Sequence, residues 1–419
     1  MPRTFNQPGV YIDEMPVGSK TITGVPTSIA AFIGRAKRGP VNHVIAVNSF
    51  VDFETRFGSL CNASSLGFAV RDFFVNGGGQ AVILRLYRGD ASFANDASDA
   101  HAAIDTACGD PLEVSDFLPI NGLVDQKGLY ALELTDLFNL LCIPPYHTSS
   151  DTVDIDLAVV SAAASYCEKR RAMLLLDAPK QWVDAQAARQ GINNLNLDNI
   201  GTRSRNAALF FPRLQQPNPL LGNQLQTFAA CGAVAGVFAR TDADRGVWKT
   251  PAGVDAKLHG VSQLSARITD QENSEFNALG VNCLRMFLTT GAVVWGARTL
   301  CGSNELGDDY KYIAVRRTAL FIEESLLRGL KWTAFEPNAE PLWAQIRLSV
   351  DAFMQSLFQK GAFQPASKRD AYFVRCNAQT TLQTDVNSGV VNMMVGFAPL
   401  KPAEFLVLNV QLTAKSADQ

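Results

Sequence analysis

The sequence predicts an α/β central domain, a mostly parallel sheet with helices on both faces. An α+β C-terminal domain follows it, and an extended N-terminal strand arm precedes it. Three observations carry this reading. Between Ile29 and Phe238 short apolar runs alternate with amphipathic stretches, the pattern of a largely parallel sheet covered on both faces. From Tyr312 onward two long stripes of apolar residues recur at spacings of three and four, and strand patterns follow them. The first 26 residues hold one alternating run and no second strand to pair with it. The boundaries are 1–26 for the arm and its linker, 27–300 for the α/β domain with an insertion at about 89–135, and 301–419 for the C-terminal domain.

In the arm, Val10-Tyr11-Ile12-Asp13 alternates after Pro8-Gly9, and residues 16–26 have the composition of a linker. A lone strand is not stable, so it must borrow a sheet from its own chain or another. Ile29–Ile33 reads as a strand buried on both faces. Ser49 opens a helix that Gly58 closes, with Asp52 at the capping-box position. Helix follows over Ser65–Asn76, ended by Gly77-Gly78-Gly79, then strand over Ala81–Tyr87. Later come strand Leu137–Ile143, helix Ile155–Lys169, strand Ala172–Leu176, helix Trp182–Gln190, strand Ala207–Phe211 and helix Leu225–Phe238. Tyr312, Val315, Ala319, Ile322, Leu326 and Leu330 form the first long stripe, and Trp343, Ile346, Val350, Phe353 and Leu357 the second. Pro341 suits the first turn of that second helix and Gly361 its end. Strands Tyr372–Arg375, Val390–Phe397 and Phe405–Leu412 close the domain, the last two as a hairpin.

Composition bounds the function. The chain has 419 residues, of which 47% are hydrophobic, enough for a sizeable core. Only 18% are charged, below the usual ~25%, as in a chain that hides part of its surface in an assembly. A net charge of −3 gives no electrostatic footprint for nucleic acid. The N-terminus lacks the apolar core of a signal peptide, and no apolar run reaches the ~18–20 residues of a membrane span. The expectation is synthesis in the cytoplasm, without membrane insertion. The eight cysteines are scattered and never spaced as CxxC, and they read as buried thiols.

Catalytic, cofactor and metal motifs are not found. The four histidines lack HExxH spacing and metal-ligand partners. Gly77-Gly78-Gly79 follows a helix and precedes a strand, the reverse of a nucleotide loop, and reads as a helix C-cap. Gly18-Ser19-Lys20-Thr21 lacks a P-loop core, and no GxSxG elbow exists. The physical signal lies at the two ends. Phe405, Val407, Asn409 and Gln411 alternate against an apolar face and present an edge, and exposed edges are templates for another chain. Together with Val10–Asp13 this is the arrangement for strand exchange between subunits, which builds rings or open helices. Folding of residues 9–15 back onto their own C-terminal sheet stays open at this point.

Several blocks, in order along the chain, resemble contractile tail sheath proteins. They are 8–14 (PGVYIDE), 24–40 (GVPTSIAAFIGRAKRGP), 239–253 (ARTDADRGVWKTPAG), 295–300 (WGARTL), 332–338 (WTAFEPN) and 396–405 (GFAPLKPAEF). The resemblance implies a subunit of sixfold rings, stacked helically around an inner tube. It implies contraction from a metastable extended state that drives the tube through a target envelope. It also implies strand exchange through Val10, Tyr11, Ile12 and Asp13 and through Phe405, Val407, Asn409 and Gln411. Gly18 and Gly24 would be hinges, and Arg316, Glu323, Glu324 and Arg328 candidates for facing the tube. Baseplate, terminal cap and inner tube proteins are the implied partners, with no cofactor, in a phage tail or tail-like particle assembled in the bacterial cytoplasm. The family's central domain is likened in fold to subtilisin, but no matching Asp, His and Ser constellation exists here, so no catalysis transfers. The alternatives are an α/β enzyme with an unrecognised site at the strand C-termini, and a non-contractile structural coat.

Overall fold

The computed structural model describes residues 20–89, 108–146, 154–192, 200–304 and 307–402. In chain order the strands are β1 (Ala30–Gly34), β2 (Val44–Val47), β3 (Ala81–Arg85), β4 (Leu140–Cys142), β5 (Met173–Asp177), β6 (Ala207–Phe211), β7 (Leu214–Asn218), β8 (Gln224–Phe228), β9 (Gln263–Leu264), β10 (Val281–Phe287), β11 (Gly291–Val294), β12 (Tyr372–Arg375) and β13 (Met394–Phe397). The helices are α1 (Phe50–Phe57), α2 (Leu66–Val75), α3 (Val114–Phe117), α4 (Gly122–Asp125), α5 (Leu157–Lys169), α6 (Ala185–Gly191), α7 (Cys231–Arg245), α8 (Asp270–Ala278), α9 (Ile313–Gly329), α10 (Glu340–Gln359), α11 (Lys368–Ala371) and α12 (Gln383–Asn387). They fall into two compact units. One holds described residues 24–324, 362–364 and 399–402, and the other 20–23, 325–361 and 365–398.

The larger unit is built on an eight-stranded sheet of order β11-β10-β6-β5-β4-β1-β3-β2. Its inner pairings are all parallel, and β2 and β11 close the two edges antiparallel. Period-two alternation divides the strand residues between two cores. Ala31, Ile33, Val82, Leu84, Leu174 and Leu209 face one, with Val159 and Ala163 of α5, Ala188 of α6 and Phe276 of α8. Ala30, Phe32, Ala81, Ile83, Leu175 and Phe210 face the other, with Phe53 of α1, Val70 of α2 and Val234 of α7. The expected parallel sheet with helices on both faces is therefore observed.

Local signals explain most element ends. Ser49 caps α1 by accepting the Asp52 N–H at 3.0 Å, and Gly58 closes the helix at φ 86°. After α2, Gly78 N–H reaches back to the Phe73 carbonyl at 2.9 Å with Gly77 at φ 106°, so the glycine run is a helix C-cap as expected. Helices α2 and α7 approach closely because Gly232 and Gly236 have no side chain. A Cβ on either would lie 2.1 Å from the Ala69 carbonyl oxygen or 2.5 Å from that of Phe73.

Two expectations are corrected. Residues 225–228 are not the start of a helix but strand β8, hairpinned to β7 through Gly222 and Asn223 in the left-handed region. The helix begins at Cys231 and runs on to Arg245. Its start is fixed from a distance, since the Asp177 carboxylate accepts the Ala230 and Cys231 N–H groups. The cysteines are not all free thiols either, because Cys61 and Cys108 form a disulfide. Arg35 draws those two segments together by donating to the Gly109 carbonyl at 2.8 Å and to the Ala63 carbonyl. Strands β2, β10 and β11 and helix α8, with its Thr269–Glu272 capping box, are elements that the sequence reading did not include.

The first half of α9 is fastened to this unit by a buried ion pair. Arg317 donates to both Asp242 oxygens on α7, at 2.8 and 2.6 Å, with the two side chains 3% and 2% exposed. Its guanidinium also lies over the Phe238 ring, 5.1 Å from the centroid. Removing one partner of such a pair leaves an uncompensated buried charge. Arg317→Met is expected to lower unfolding free energy by about 3–5 kcal/mol in urea titrations. A second change, Asp242→Leu, is expected to restore most of it; a single variant as stable as the parent would contradict this assignment.

A second buried carboxyl links α2 to the hairpin. Asp72 is 4% exposed, with Arg71 at 3.1 Å and the Gln216 amide at 3.0 Å. Burial pushes its carboxyl up to about 6, and the two donors only partly oppose that. The folded chain therefore holds this proton more tightly than the unfolded chain, where an aspartate titrates near ~3.9. Stability is lost as pH rises from about 4 through about 6. The unfolding free energy of the parent relative to Asp72→Asn should fall by about 2–3 kcal/mol between pH 4 and pH 7. A pH-independent difference would contradict it.

Candidate functional site: an assembly interface

In the smaller unit β12 and β13 pair antiparallel, Tyr372 opposite Phe397 and Arg375 opposite Met394. Tyr372 is 5% exposed and anchors this ribbon on α10, its hydroxyl 3.0 Å from Gln355 Oε1. Helix α10 starts with Pro341 in its first turn and buries Trp343, Ile346, Val350, Phe353 and Leu357, the expected stripe. Trp343 Nε1 donates to Asn338 Oδ1 at 2.8 Å, and Asn338 Nδ2 donates to the Val390 carbonyl at 2.9 Å, which ties the strand connection back to the helix start. On the outer face the Phe373 ring lies across Gly396, where a Cβ would come within 2.3 Å of it. Among the described residues this sheet has two strands only. Two strands of four residues are marginal alone, and unpaired edges are templates for a further strand. Phe373 at 43% and Met394 at 52% exposure leave apolar side chains beside those edges.

The root of the arm is held within each unit separately. In the smaller unit Ile22 is 5% exposed and packs where Gly329 ends α9, and the Lys20 ammonium lies 4.2 Å from the centroid of the Trp332 ring. In the larger unit Asn139 accepts from Ile29 N–H at 3.0 Å and donates to the Pro26 carbonyl at 2.9 Å, while Arg317 donates to the Thr27 carbonyl at 2.9 Å. Gly24 is exposed and marks where the chain passes from one unit to the other. Val10, Tyr11, Ile12, Asp13 and Gly18 lie outside the described residues, as do Phe405, Val407, Asn409 and Gln411.

The four charged candidates on α9 are not equivalent. Arg316 is 9% exposed; it donates to Asn206 Oδ1 at 2.8 Å and stacks 4.7 Å from the Tyr310 ring centroid. Glu324 is 8% exposed and accepts from Arg171 at 2.7 Å. Both side chains are spent on contacts inside the chain. Glu323 is exposed and Arg328 half-buried. Apolar periodicity located the helix but could not separate these positions, because Asn206 and Arg171 reach α9 from distant elements.

The larger unit also carries a cavity of about 260 Å³ at the C-terminal end of β5, walled by Ile155, Leu157, Val160, Leu176, Trp182 and Ile200. Its polar groups serve the chain itself. Arg213 is paired with Asp154 at 2.7 Å and donates to the Ala178 carbonyl at 3.0 Å. Asp177 caps α7 through one oxygen, and burial raises its carboxyl. Among the described residues no histidine, serine or cysteine lines the cavity. Among the described residues no three metal-ligating side chains converge. No helix among them is long and apolar enough to cross a membrane.

Known proteins resemble this chain along most of its length. Residues 126–300 match the phage tail sheath protein central domain, and residues 305–413 match the phage tail sheath C-terminal domain. A putative prophage major tail sheath protein of Pseudomonas aeruginosa (strain UCBPP-PA14) is 25% identical over 301 residues, covering 69% of this chain and 70% of that protein. The helical sheath of the anti-feeding prophage in its contracted state is similar with a TM-score of 0.72 and 27% identity, over 97% of this chain and 99% of that one. A chain of the sixfold-symmetrised anti-feeding prophage baseplate is similar with a TM-score of 0.70 and 27% identity, over 98% of this chain and all of that one. The chain belongs to the phage tail sheath protein family.

Proposed function

We propose that this protein is the structural subunit of a contractile sheath. Its copies would stack as sixfold rings around an inner tube, on a baseplate and under a terminal cap. The observation that carries the reading is likeness over 97% of the chain to a helical sheath in its contracted state, at a TM-score of 0.72. The open β12–β13 ribbon supports strand exchange as the link between copies. Residues 9–15 of one copy, and the strand at 405–412 of another, would extend that ribbon. Main-chain hydrogen bonds would supply affinity, and alternating side chains the register. Donation from copy to copy is heterologous, so it propagates through rings and stacks.

In this reading no fuel is consumed at firing. Two packings of the same surfaces differ by only a few kcal/mol per subunit. Summed over a long sheath, that difference drives the tube through a target envelope. The C-terminal domain would face the tube; Arg316 and Glu324 are buried on intrachain partners, while Glu323, exposed although Arg316 approaches it at 3.4 Å, and the half-buried Arg328 stay candidates for contact. The particle is a phage tail or a tail-like injection system built in the bacterial cytoplasm.

Deleting residues 1–19 tests the reading. The truncated chain is expected to keep its circular dichroism spectrum and its urea midpoint, yet to form no tubes under negative-stain electron microscopy when co-expressed with the inner tube protein. Normal tubes from the truncated chain would sink strand exchange.

A further inference from the structure

We propose that Ile22, seated against Gly329, is a releasable clip that sets how far the N-terminal arm can reach; this rests on the strand-exchange reading above. Ile22 is 5% exposed while its neighbours Thr21, Thr23 and Gly24 are exposed, so one side chain anchors this stretch. Gly329 ends α9 without left-handed backbone, so its φ does not call for glycine. The missing side chain does. A Cβ there would lie 2.6 Å from Ile22 Cγ2 and 2.8 Å from Cγ1. Lys20 over Trp332 adds a further contact to this anchor, a cation 4.2 Å from the ring centroid.

The next anchor downstream is of a different kind. Pro26, Thr27 and Ile29 are held by three hydrogen bonds: Asn139 donates to the Pro26 carbonyl and accepts from Ile29 N–H, Arg317 donates to the Thr27 carbonyl, and Arg317 is itself fixed by Asp242. Apolar seating of one side chain is non-directional and opens without leaving a buried polar group unpaired, whereas opening the second anchor strands several. Tension on the arm therefore unseats Ile22 first and stops no later than Pro26. An extended chain spans at most ~3.3–3.6 Å per residue. With the clip seated, Asp13 lies within about 25 Å of Lys20. With the clip open, it lies within about 45 Å of Pro26. Opening the clip frees the chain between Lys20 and Pro26, at most about 20 Å of contour, for use when neighbouring copies change their spacing.

Two variants of the full chain test this. Gly329→Ala suits a helix end and leaves the fold intact, but it occupies the Ile22 seat. Trypsin should then cut after Lys20 about tenfold faster than in the parent; an unchanged rate would overturn the seating. For the second variant, Ile22→Cys with Gly329→Cys, the Gly329 Cβ position lies 3.0 Å from that of Ile22, close enough for a disulfide after a small shift. Sheaths assembled under reduction and then oxidised should contract at less than a tenth of the parent's rate, with full recovery in reductant. Contraction at the parent's rate while oxidised would overturn the clip. The two readings fail separately: tubes formed without residues 1–19 would remove strand exchange, while the protease assay would still report whether Ile22 holds the arm root.

Discussion

The buried pair between Arg317 and Asp242 is the constraint on which the rest of this architecture depends. Two charges withdrawn from water cost several kcal/mol each unless their geometry is fixed and their remaining donors are used. Here the guanidinium meets both carboxylate oxygens and spends a further N–H on the Thr27 carbonyl. The pair only works if α7, α9 and the chain entering β1 hold one arrangement. Helix α7 is held in turn by the Asp177 carboxylate at its start and by close backbone approach to α2 at Gly232 and Gly236. The first half of α9 therefore leaves the sheet unit from a fixed platform, and the arm root is bound to that same platform at Thr27.

A subunit that carries load while changing its neighbours needs such a division of labour. Interior contacts should be specific and expensive to break, and contacts between copies should be renewable. The large unit meets the first need with two alternating cores and buried polar links such as Asp72 to Gln216. In the proposed assembly the small unit would meet the second with a ribbon whose strands, among the described residues, pair only with each other. Main-chain pairing suits renewable contact because its hydrogen bonds come from the backbone whatever the side chains, which are left to set the register. The low content of charged residues agrees with a surface largely given over to other copies.

Much of the fold was legible in the sequence where local chemistry decides the outcome. Ser49, Gly58, Pro341 and the glycines after α2 mark element ends by caps and turns that need no distant partner. Apolar runs such as Ile29–Ile33, observed as β1 at Ala30–Gly34, and Ala207–Phe211 announced strands buried on both faces. Legibility failed where a distant residue decides. The start of α7 is set by Asp177, some fifty positions earlier, so Leu225–Phe228 passed for helix while its strand pairing with β7 stayed hidden. The same holds for Arg316 and Glu324, which read as candidates for facing the tube until Asn206 and Arg171 are brought to them by the fold. Cys61 and Cys108 meet across 47 positions of chain, beside the Arg35 bonds to the Ala63 and Gly109 carbonyls, a juxtaposition that only the fold makes. Of the interface, the sequence pointed to a tethered strand at Val10–Asp13 and an edge at Phe405–Gln411, and both lie outside the described residues.

The most direct test of the central claim is helical reconstruction of assembled sheaths before and after triggering. The account predicts two helical packings of one subunit fold, with β12 and β13 extended by a strand from a different copy in both. A single packing, or a ribbon left two-stranded in the assembled sheath, would contradict it.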